Sequence, residues 1–492
     1  MNIDDLFHSP SPYIAKFAEK QVYLYREDIT LQDYFHALHH ERLDGPQVRS
    51  SRRASANPLA EWSFRAADKV AQIFRPGRIK TDILFCPTPH FGRQTEHLLL
   101  TRTLRGLAQT GRKILCLLPA YTAYSPFRQE LESTAAGCKD QITILDTGMT
   151  LNRIEARTRA VAARLRSRAA FEKVVEILEP YGMSPSEEVV ADFERTALYV
   201  ETWERLAHFI DFDALVTRCH WYELCSPICR TAMQRGKPTI TFQQGVIGHT
   251  LDVPITASKL VAFGAPSASV LAETNRRFFD AVGAAEPPVK YFNAGSFIDT
   301  LSALPDQFHR QTVLIIDMHS VPRDFCGTEG ETQALFRLAE RILTARLPLR
   351  RLVIRPHPQW SSLDLDACLK LVREHRDLCE LSHPIWPLED DLRRSSIVVG
   401  IWSGVLTVAS ACGLPTIFLQ TEQGFKTRDL ACFSPAQTLL PDAALCHIGE
   451  LLTDHRAYAE ARGVAQRNGA EYYTDGANAP LDGAFFERLL RG

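Results

Sequence analysis

Short, almost uninterrupted apolar runs recur along the chain, separated by stretches in which apolar residues return every three or four positions. Runs of the first kind read as strands buried on both faces, and stretches of the second kind as amphipathic helices. The series opens at Thr81: ILFCPTPHF predicts a strand running into a loop, and TEHLLLTRTLRGLAQTG a helix that stops at Gly111. KILCLLP and QITILDTG predict the next strands, and Arg153 to Glu179 and about 186 to 209 predict helices. DALVTRCHWYE, TITFQ and LVAFGAP complete a first set of strands, the last closing this half. A second set begins near Gln311 with TVLIID. It continues through a helix at about 331–345, RLVIRPHP, a helix at 365–375, a turn region, SIVVGIWS and TIFLQ. Residues 447 to 492 read as mostly helical, and Leu59 to Phe74 as an amphipathic helix after the polar loop Arg49–Pro58. The alternation predicts an α/β protein with parallel sheets covered on both faces. The expected organisation is an N-terminal arm over 1–75, Rossmann-like domains over 76–300 and 301–446, and C-terminal helices over 447–492.

One phrase occurs twice. Ser226–Gln243 (SPICRTAMQRGKPTITFQ) and Ser403–Gln420 (SGVLTVASACGLPTIFLQ) share S-x9-G-x-P-T-I-x-x-Q, with a further match at Ala232 and Ala409. In each copy a helical stretch ends at a Gly, a Pro follows two residues on, and a β-branched run begins. That is a helix stop leading into a strand. One copy in each half predicts two similar domains facing a cleft, where ligands usually bind.

The 492 residues, 45% hydrophobic and 23% charged, suit a soluble globular protein of two or three domains. With 56 basic against 58 acidic residues there is no global nucleic-acid signature, and no nucleic-acid partner is expected. The twelve cysteines are scattered singly. Cys225 and Cys229 would share one helix face, as a metal or redox pair or, more simply, as two small buried residues. MNIDDLFHSPSPY is acidic and polar, unlike a signal peptide, and no apolar run approaches the ~20 residues of a membrane span. The expectation is therefore a reduced, cytoplasmic protein. Arg153, Arg157, Arg159, Arg164, Arg166 and Arg168 share one helical segment. They could hold it peripherally on the anionic inner membrane face, or simply form a solvated face with i,i+4 pairs.

Two places carry candidate chemistry. Arg355-Pro356-His357-Pro358 directly follows the apolar Leu352–Ile354. The prolines end the strand in a rigid turn, which puts Arg355 and His357 at its carboxyl end, where open α/β sheets bind ligands. Both side chains can donate to phosphate oxygens. Trp402-Ser403-Gly404 follows Ile397–Ile401 in the same way. Ser403 is a good helix N-cap, Gly404 lets a ligand approach the backbone, and the helix behind them is nearly all apolar. Its start offers an anion N–H donors and a positive dipole end worth ~0.3–2 kcal/mol. The plain alternative is that Ser403 caps only its own helix.

Strand–R-P-H-P and strand–x-S-G–helix–G-x-P–strand together resemble the donor-binding half of GT-B glycosyltransferases. The likeness is to bacterial capsule and surface-polysaccharide enzymes: capsular β-Kdo transferases, bacterial sialyl- and polysialyltransferases, and CDP-glycerol glycerophosphotransferases. Gln243-Gln244-Gly245-Val246 looks like the Q-H-G-V/I loop of that group, with Gln244 where His is usual. The resemblance spans roughly residues 210–440. It implies a metal-independent, inverting transfer of a sugar, such as Kdo or a sialic-acid-like sugar from a CMP donor, to a surface polysaccharide or glycolipid acceptor. The nucleotide-sugar is then a substrate, and no cofactor is expected.

On this reading Arg355, His357, Trp402, Ser403 and Gly404 hold the donor, with Glu329, Glu422 and Gln423 beside its base or sugar. The base that activates the acceptor should come from the first domain, with Glu223 or Glu96 favoured. His90, His220, Gln243, Gln244 and His249 sit on the acceptor side, and His357 is a further catalytic candidate. A metal is not expected: Asp211–Asp213 precedes the strand Ala214–Thr217, Asp364–Asp366 lies at a helix start, and His36-x-x-x-His40 falls in the arm. P-loop, G-x-G-x-x-G, H-E-x-x-H and G-x-S-x-G motifs are all absent. A nucleotide-sugar 2-epimerase of the same fold, or a non-catalytic glycan- or nucleotide-binding protein, remains the alternative.

Overall fold

The apolar runs are strands because helices cover both faces of each: every residue of Ile114–Leu118, Thr312–Ile316 and Ile397–Gly400 is buried. The computed structural model describes residues 79–87, 94–118, 126–146, 163, 165–173, 176, 189–220, 225–243, 254–298, 300–316, 328–356, 362–382, 386–401, 403–420 and 437–491. The arm expected over 1–75 lies outside them. The first set of elements is β1 (Ile79–Cys86), α1 (Gln94–Ala108), β2 (Ile114–Leu118), α2 (Pro126–Ala136), β3 (Ile142–Asp146), α3 (Val189–Leu206), β4 (Ile210–Thr217), α4 (Cys225–Gln234), β5 (Thr239–Phe242), β6 (Lys259–Ala262), α5 (Ala265–Val282) and β7 (Lys290–Asn293). The second is β8 (Thr312–Ile316), α6 (Thr328–Thr344), β9 (Arg351–Arg355), α7 (Ser362–Glu374), β10 (Cys379–Leu381), α8 (Leu388–Arg393), β11 (Ile397–Gly400), α9 (Gly404–Ala411), β12 (Thr416–Leu419) and β13 (Gln437–Leu439). Three helices follow: α10 (Pro441–Thr453), α11 (His455–Tyr472) and α12 (Gly483–Arg491).

These strands build two parallel sheets, ordered β3-β2-β1-β4-β5-β6-β7 and β10-β9-β8-β11-β12-β13. Both follow the doubly wound order 3-2-1-4-5-6, the first with one strand added. In that order the chain reverses direction across the sheet between the first and fourth strands, here β1/β4 and β8/β11. In open α/β sheets of this order, ligands bind outside the carboxyl ends of the strands at that reversal. This is the two-domain Rossmann-like α/β architecture expected from the sequence.

Three strands escaped the sequence pattern, and each is an edge. β7 lies beyond the strand expected to close the first half, β10 with α8 occupies the expected turn region, and β13 follows TIFLQ. Their residues are mostly half-buried or exposed, so no apolar run marks them. Two boundaries also shift. A cut between 446 and 447 would fall inside α10, and Asp211 and Asp213 lie within β4 instead of before it. That puts the Asp pair toward the amino end of β4, away from its carboxyl end.

The repeated phrase maps onto the same unit of both sheets, the crossover from fourth to fifth strand. After α4, Gly236 (φ 63°) turns the chain, and Lys237 N–H closes on Ala232 O at 2.9 Å. After α9, Gly413 (φ 86°) does so, and Leu414 N–H closes on Ala409 O at 2.9 Å. The matched alanines thus accept equivalent helix-ending bonds, and the glycines take the left-handed conformation such an ending requires. The closing glutamines also correspond: Gln243 N–H bonds Val261 O and Gln420 N–H bonds Leu439 O, both at 2.9 Å.

The C-terminal helices belong to neither sheet alone. Asp454 caps α11 by accepting from Arg456 N–H at 2.8 Å. His455 meets Asp306 at 3.0 Å, and Arg462 donates to Gly413 O and Leu304 O on the second sheet's side. α11 then crosses α9 so closely that a Cβ on Gly469 would stand 2.5 Å from the Ala411 nitrogen. Past Tyr472 the chain turns through Thr474, Asp475 and Gly476, all at positive φ, and bonds both sides of Ser296. α12 finally packs on α1; Arg112, just past α1, pairs with Glu487 at 3.1 Å, and the buried Lys259 Nζ of β6 donates to Leu489 O at 2.6 Å. One apolar cluster accordingly runs from Ile83 and Val261 through Phe297, Tyr472 and Tyr473 to Val313 and Ile417.

Candidate functional site

Seven of the sequence candidates fall among the described residues, each at or just beyond the carboxyl end of a strand. Glu96 and Glu329 fall in the first turns of α1 and α6, which follow β1 and β8. Arg355 ends β9, His220 follows β4, Gln243 follows β5, and Ser403 and Gly404 follow β11. His90, Glu223, Gln244, His249, His357, Trp402, Glu422 and Gln423 lie outside the described residues.

On the second sheet, register puts Arg355, Ile316 and Gly400 side by side on β9, β8 and β11. Arg355 and the start of α9 therefore flank the β8 end, with the β9 and β11 backbones roughly 10 Å apart. Ser403 is extended (φ −146°, ψ 133°), and its Oγ accepts from Val405 N–H at 3.2 Å, so it is the N-cap the sequence indicated. Gly404 is exposed, while Leu406 through Ser410 are buried. A buried eight-residue helix thus presents an exposed glycine, and the positive end of its dipole, at the strand ends.

Arg355 is held tightly. Its Nη1 donates to Asp391 Oδ2 at 2.5 Å and its Nη2 to the Trp386 carbonyl at 2.8 Å. Asp391, 1% exposed, also accepts from Ser382 Oγ at 2.5 Å and from Arg394 Nη2 at 2.6 Å. One buried carboxylate therefore orders two guanidinium groups and the strand end. At least two of the five Arg355 donors point into the protein, so Arg355 braces the end of β9 as well as adding positive charge there. Sequence reasoning missed Asp391 and also Trp386, whose side chain is 53% exposed beside this network. In L-E-D-D-L-R nothing local sets Asp391 apart from its exposed neighbours Glu389 and Asp390. For Trp386 a signal existed: a tryptophan and proline between two strands, in a stretch without helical periodicity.

The first sheet contributes a tighter surface. Gln243 is 1% exposed. Its Oε1 accepts from Phe263 N–H at 2.9 Å, and its Nε2 donates to Ser267 Oγ at 3.2 Å and approaches Tyr472 Oη at 3.5 Å. This side chain anchors the end of β5. His220 is buried, and its carbonyl accepts from Thr256 Oγ1 at 3.3 Å. Arg218, also buried, donates to Gln243 O at 3.0 Å and so ties the ends of β4 and β5 together. Cys225 and Cys229 are fully buried, as the plainer sequence reading expected. The Cys225 sulfur lies 3.7 Å from that of Cys86. That hydrogen bond, with burial, pushes the Cys86 thiol well above its usual range, so it is neutral and a poor nucleophile.

In the Arg-bearing segment Arg166 pairs with Glu201 at 2.7 Å and Glu204 at 3.0 Å, and Arg168 with Glu172 at 3.0 Å. Arg153, Arg157, Arg159 and Arg164 lie outside the described residues. Among the described residues no helix is long and apolar enough to cross a membrane. Among them, too, no group of three or more His, Cys, Asp or Glu side chains could hold a metal ion. Asp213 sits near Lys237 at 3.8 Å, and Asp366 lies within α7.

No protein-family model and no curated protein matches this chain. Solved structures do. The chain is similar to the α,α-trehalose 6-phosphate synthase from Burkholderia multivorans, at 12% identity and a TM-score of 0.47, over 84% of this chain and 98% of that one. It is similar to the N-terminal domain of Candida albicans trehalose-6-phosphate phosphatase, at 11% identity and a TM-score of 0.47, over 84% and 97%. It is also similar to the UDP-GlcNAc 2-epimerase from Neisseria meningitidis bound to UDP-GlcNAc, at 12% identity and a TM-score of 0.45, over 84% and 100%.

Proposed function

We propose that this protein is a GT-B-type glycosyltransferase that binds a nucleotide-sugar at the carboxyl ends of β8, β9 and β11. The observation that carries this reading is the start of α9, where a Ser403 cap and an exposed Gly404 lie on one side of the β8 end and the Asp391-braced Arg355 on the other. In glycosyl transfer an acceptor hydroxyl attacks the anomeric carbon, the carbon–phosphate-oxygen bond breaks, and the leaving phosphate takes up negative charge. Donors and a helix dipole fixed at that phosphate stabilise the charge as it develops. His357, two residues beyond Arg355, is assigned to the same phosphate. Trp402, Glu329, Glu422 and Gln423 are assigned to the rest of the donor, and exposed Trp386 gives the site an aromatic edge.

The acceptor enters from the β1/β4 side, and Glu223 or Glu96 removes its proton, with His90, His220, Gln244 and His249 around it. The donor is a CMP-sugar of the Kdo or sialic-acid type and the acceptor a surface polysaccharide or glycolipid; no metal takes part. The test is donor hydrolysis without acceptor, using CMP- and UDP-sugars, in the wild type and in His357→Ala. Release of free sugar by the wild type and its loss in the variant supports the assignment. Isomerised nucleotide-sugar in place of free sugar would make the protein an epimerase. No turnover alongside nucleotide binding would make it a binding protein.

A further inference from the structure

Tyr472 and Tyr473 end α11, and through them that helix reaches elements of both sheets that carry the candidate site. Both rings are buried, at 0% and 2% exposure. Tyr473 Oη lies 2.7 Å from Thr407 Oγ1, and Thr407 Oγ1 lies 2.7 Å from the carbonyl of Gly404. A hydroxyl has one proton, and the Thr407 proton goes to that carbonyl, so Tyr473 is the donor to Thr407. The hydrogen-bond chain Tyr473–Thr407–Gly404 therefore ends on the first residue of α9. Tyr472 Oη faces Gln243 Nε2 at 3.5 Å, at the end of β5. The two rings meet edge to face, with centroids 4.8 Å apart, and Phe263 of the first sheet lies 5.2 Å from the Tyr473 ring. Thr474 Oγ1 closes the joint by donating to Phe263 O at 2.9 Å.

We propose that the Tyr472–Tyr473 pair is a positioning device that fixes the start of α9 relative to the end of β5, and so sets the two half-sites against each other. Its functional meaning rests on the reading of α9 as the phosphate-facing helix. Consecutive residues at one helix end cannot shift independently. A change at the Thr407 contact is therefore passed through the abutting rings to Phe263 and Gln243. Neither tyrosine touches substrate; each acts through the element it holds.

Amide hydrogen exchange of the full chain tests this, with Tyr473→Phe, Tyr472→Phe and Thr407→Val as perturbations. Each keeps the packing volume, and Thr407→Ser keeps the hydroxyl as a rescue control. Tyr473→Phe and Thr407→Val should each speed exchange about threefold to tenfold, the worth of one buried hydrogen bond, over 403–411 and also over 239–243 and at Phe263. Tyr472→Phe should do the same from the other side, and Thr407→Ser should match the wild type. An effect confined to the mutated side, or none on either side, overturns the coupling. CMP and UDP titrations run in parallel separate the two claims. A fall in affinity in Tyr473→Phe by a similar factor supports the positioning role, and unchanged affinity overturns it. If neither nucleotide binds the wild type while exchange is coupled, the joint stands and the phosphate assignment of α9 fails.

Discussion

Gly463 and Gly469 lie in the same helix, α11, and the same substitution should act on them with opposite sign. An alanine Cβ at Gly469 would stand 2.5 Å from the Ala411 nitrogen, 2.6 Å from its Cα and 2.8 Å from the Ser410 carbonyl carbon. All three are backbone atoms of α9, so no side chain can swing away. Comfortable contact is about 3.5–4 Å, so α9 and α11 must part by roughly 1 Å. Overpacking of this kind costs ~1–3 kcal/mol. Replacing a helical glycine by alanine returns up to ~1 kcal/mol. At Gly463 the new Cβ meets only Arg467 Nη1, at 3.5 Å, the mobile end of a long side chain. Gly463→Ala should therefore gain stability and Gly469→Ala lose it. The helix-propensity gain cancels between the two, so they should differ by the overpacking cost alone, ~1–3 kcal/mol. Urea midpoints measured side by side give the comparison without assuming two-state unfolding of a two-sheet protein. A Gly469→Ala midpoint equal to or above that of Gly463→Ala would refute the close α9–α11 crossing.

Two further outcomes follow from named contacts. Asp391→Asn leaves Arg355 and Arg394 without their shared buried carboxylate and should cost ~3–5 kcal/mol, read as a drop in urea midpoint. Acid should loosen the C-terminal helices first. Arg112 holds the Glu487 carboxyl below its usual 4.5; burial raises Asp306, but Phe308 N–H and His455 outweigh it and hold that carboxyl below 3.8. Both folded values are depressed, so their contribution is complete above the unfolded values and is lost as pH falls through the folded ones. Limited proteolysis at falling pH should then cut within 473–491 before either sheet, whereas simultaneous cutting everywhere would contradict it.

The sequence made the central strands legible because they are buried on both faces and need unbroken apolar runs. It also made the repeated crossover legible, down to the alanines that end α4 and α9. The edges β7, β10 and β13 were not, because a half-exposed strand tolerates polar residues such as those of CEL and QTL. Ser403 was readable because a cap is local: one side chain and the backbone two residues on. Asp391 was not, because its burial depends on Arg355 and Ser382, nine or more positions away in sequence. The same holds for α11, whose Gly469 and Tyr472–Tyr473 gain meaning only from the helices and strands they touch. For Gln243 the loop motif gave its place at the end of β5, but not the buried hydrogen bonds to Phe263 and Ser267, which depend on residues about twenty positions on.

The central claim is that the start of α9 binds a phosphate, and a single charge tests it most directly. An aspartate at exposed position 404, in Gly404→Asp, puts a carboxylate at a helix N-terminus, which favours the helix by ~0.3–1 kcal/mol, but it repels an anion seated there. Calorimetric titration of CMP, CDP and UDP into the wild type and Gly404→Asp should find at least one nucleotide that binds the wild type. That nucleotide should bind the variant at least about tenfold more weakly, while the variant melts no earlier. If none of the three binds the wild type, or if Gly404→Asp binds as tightly as the wild type, the phosphate site is not at α9.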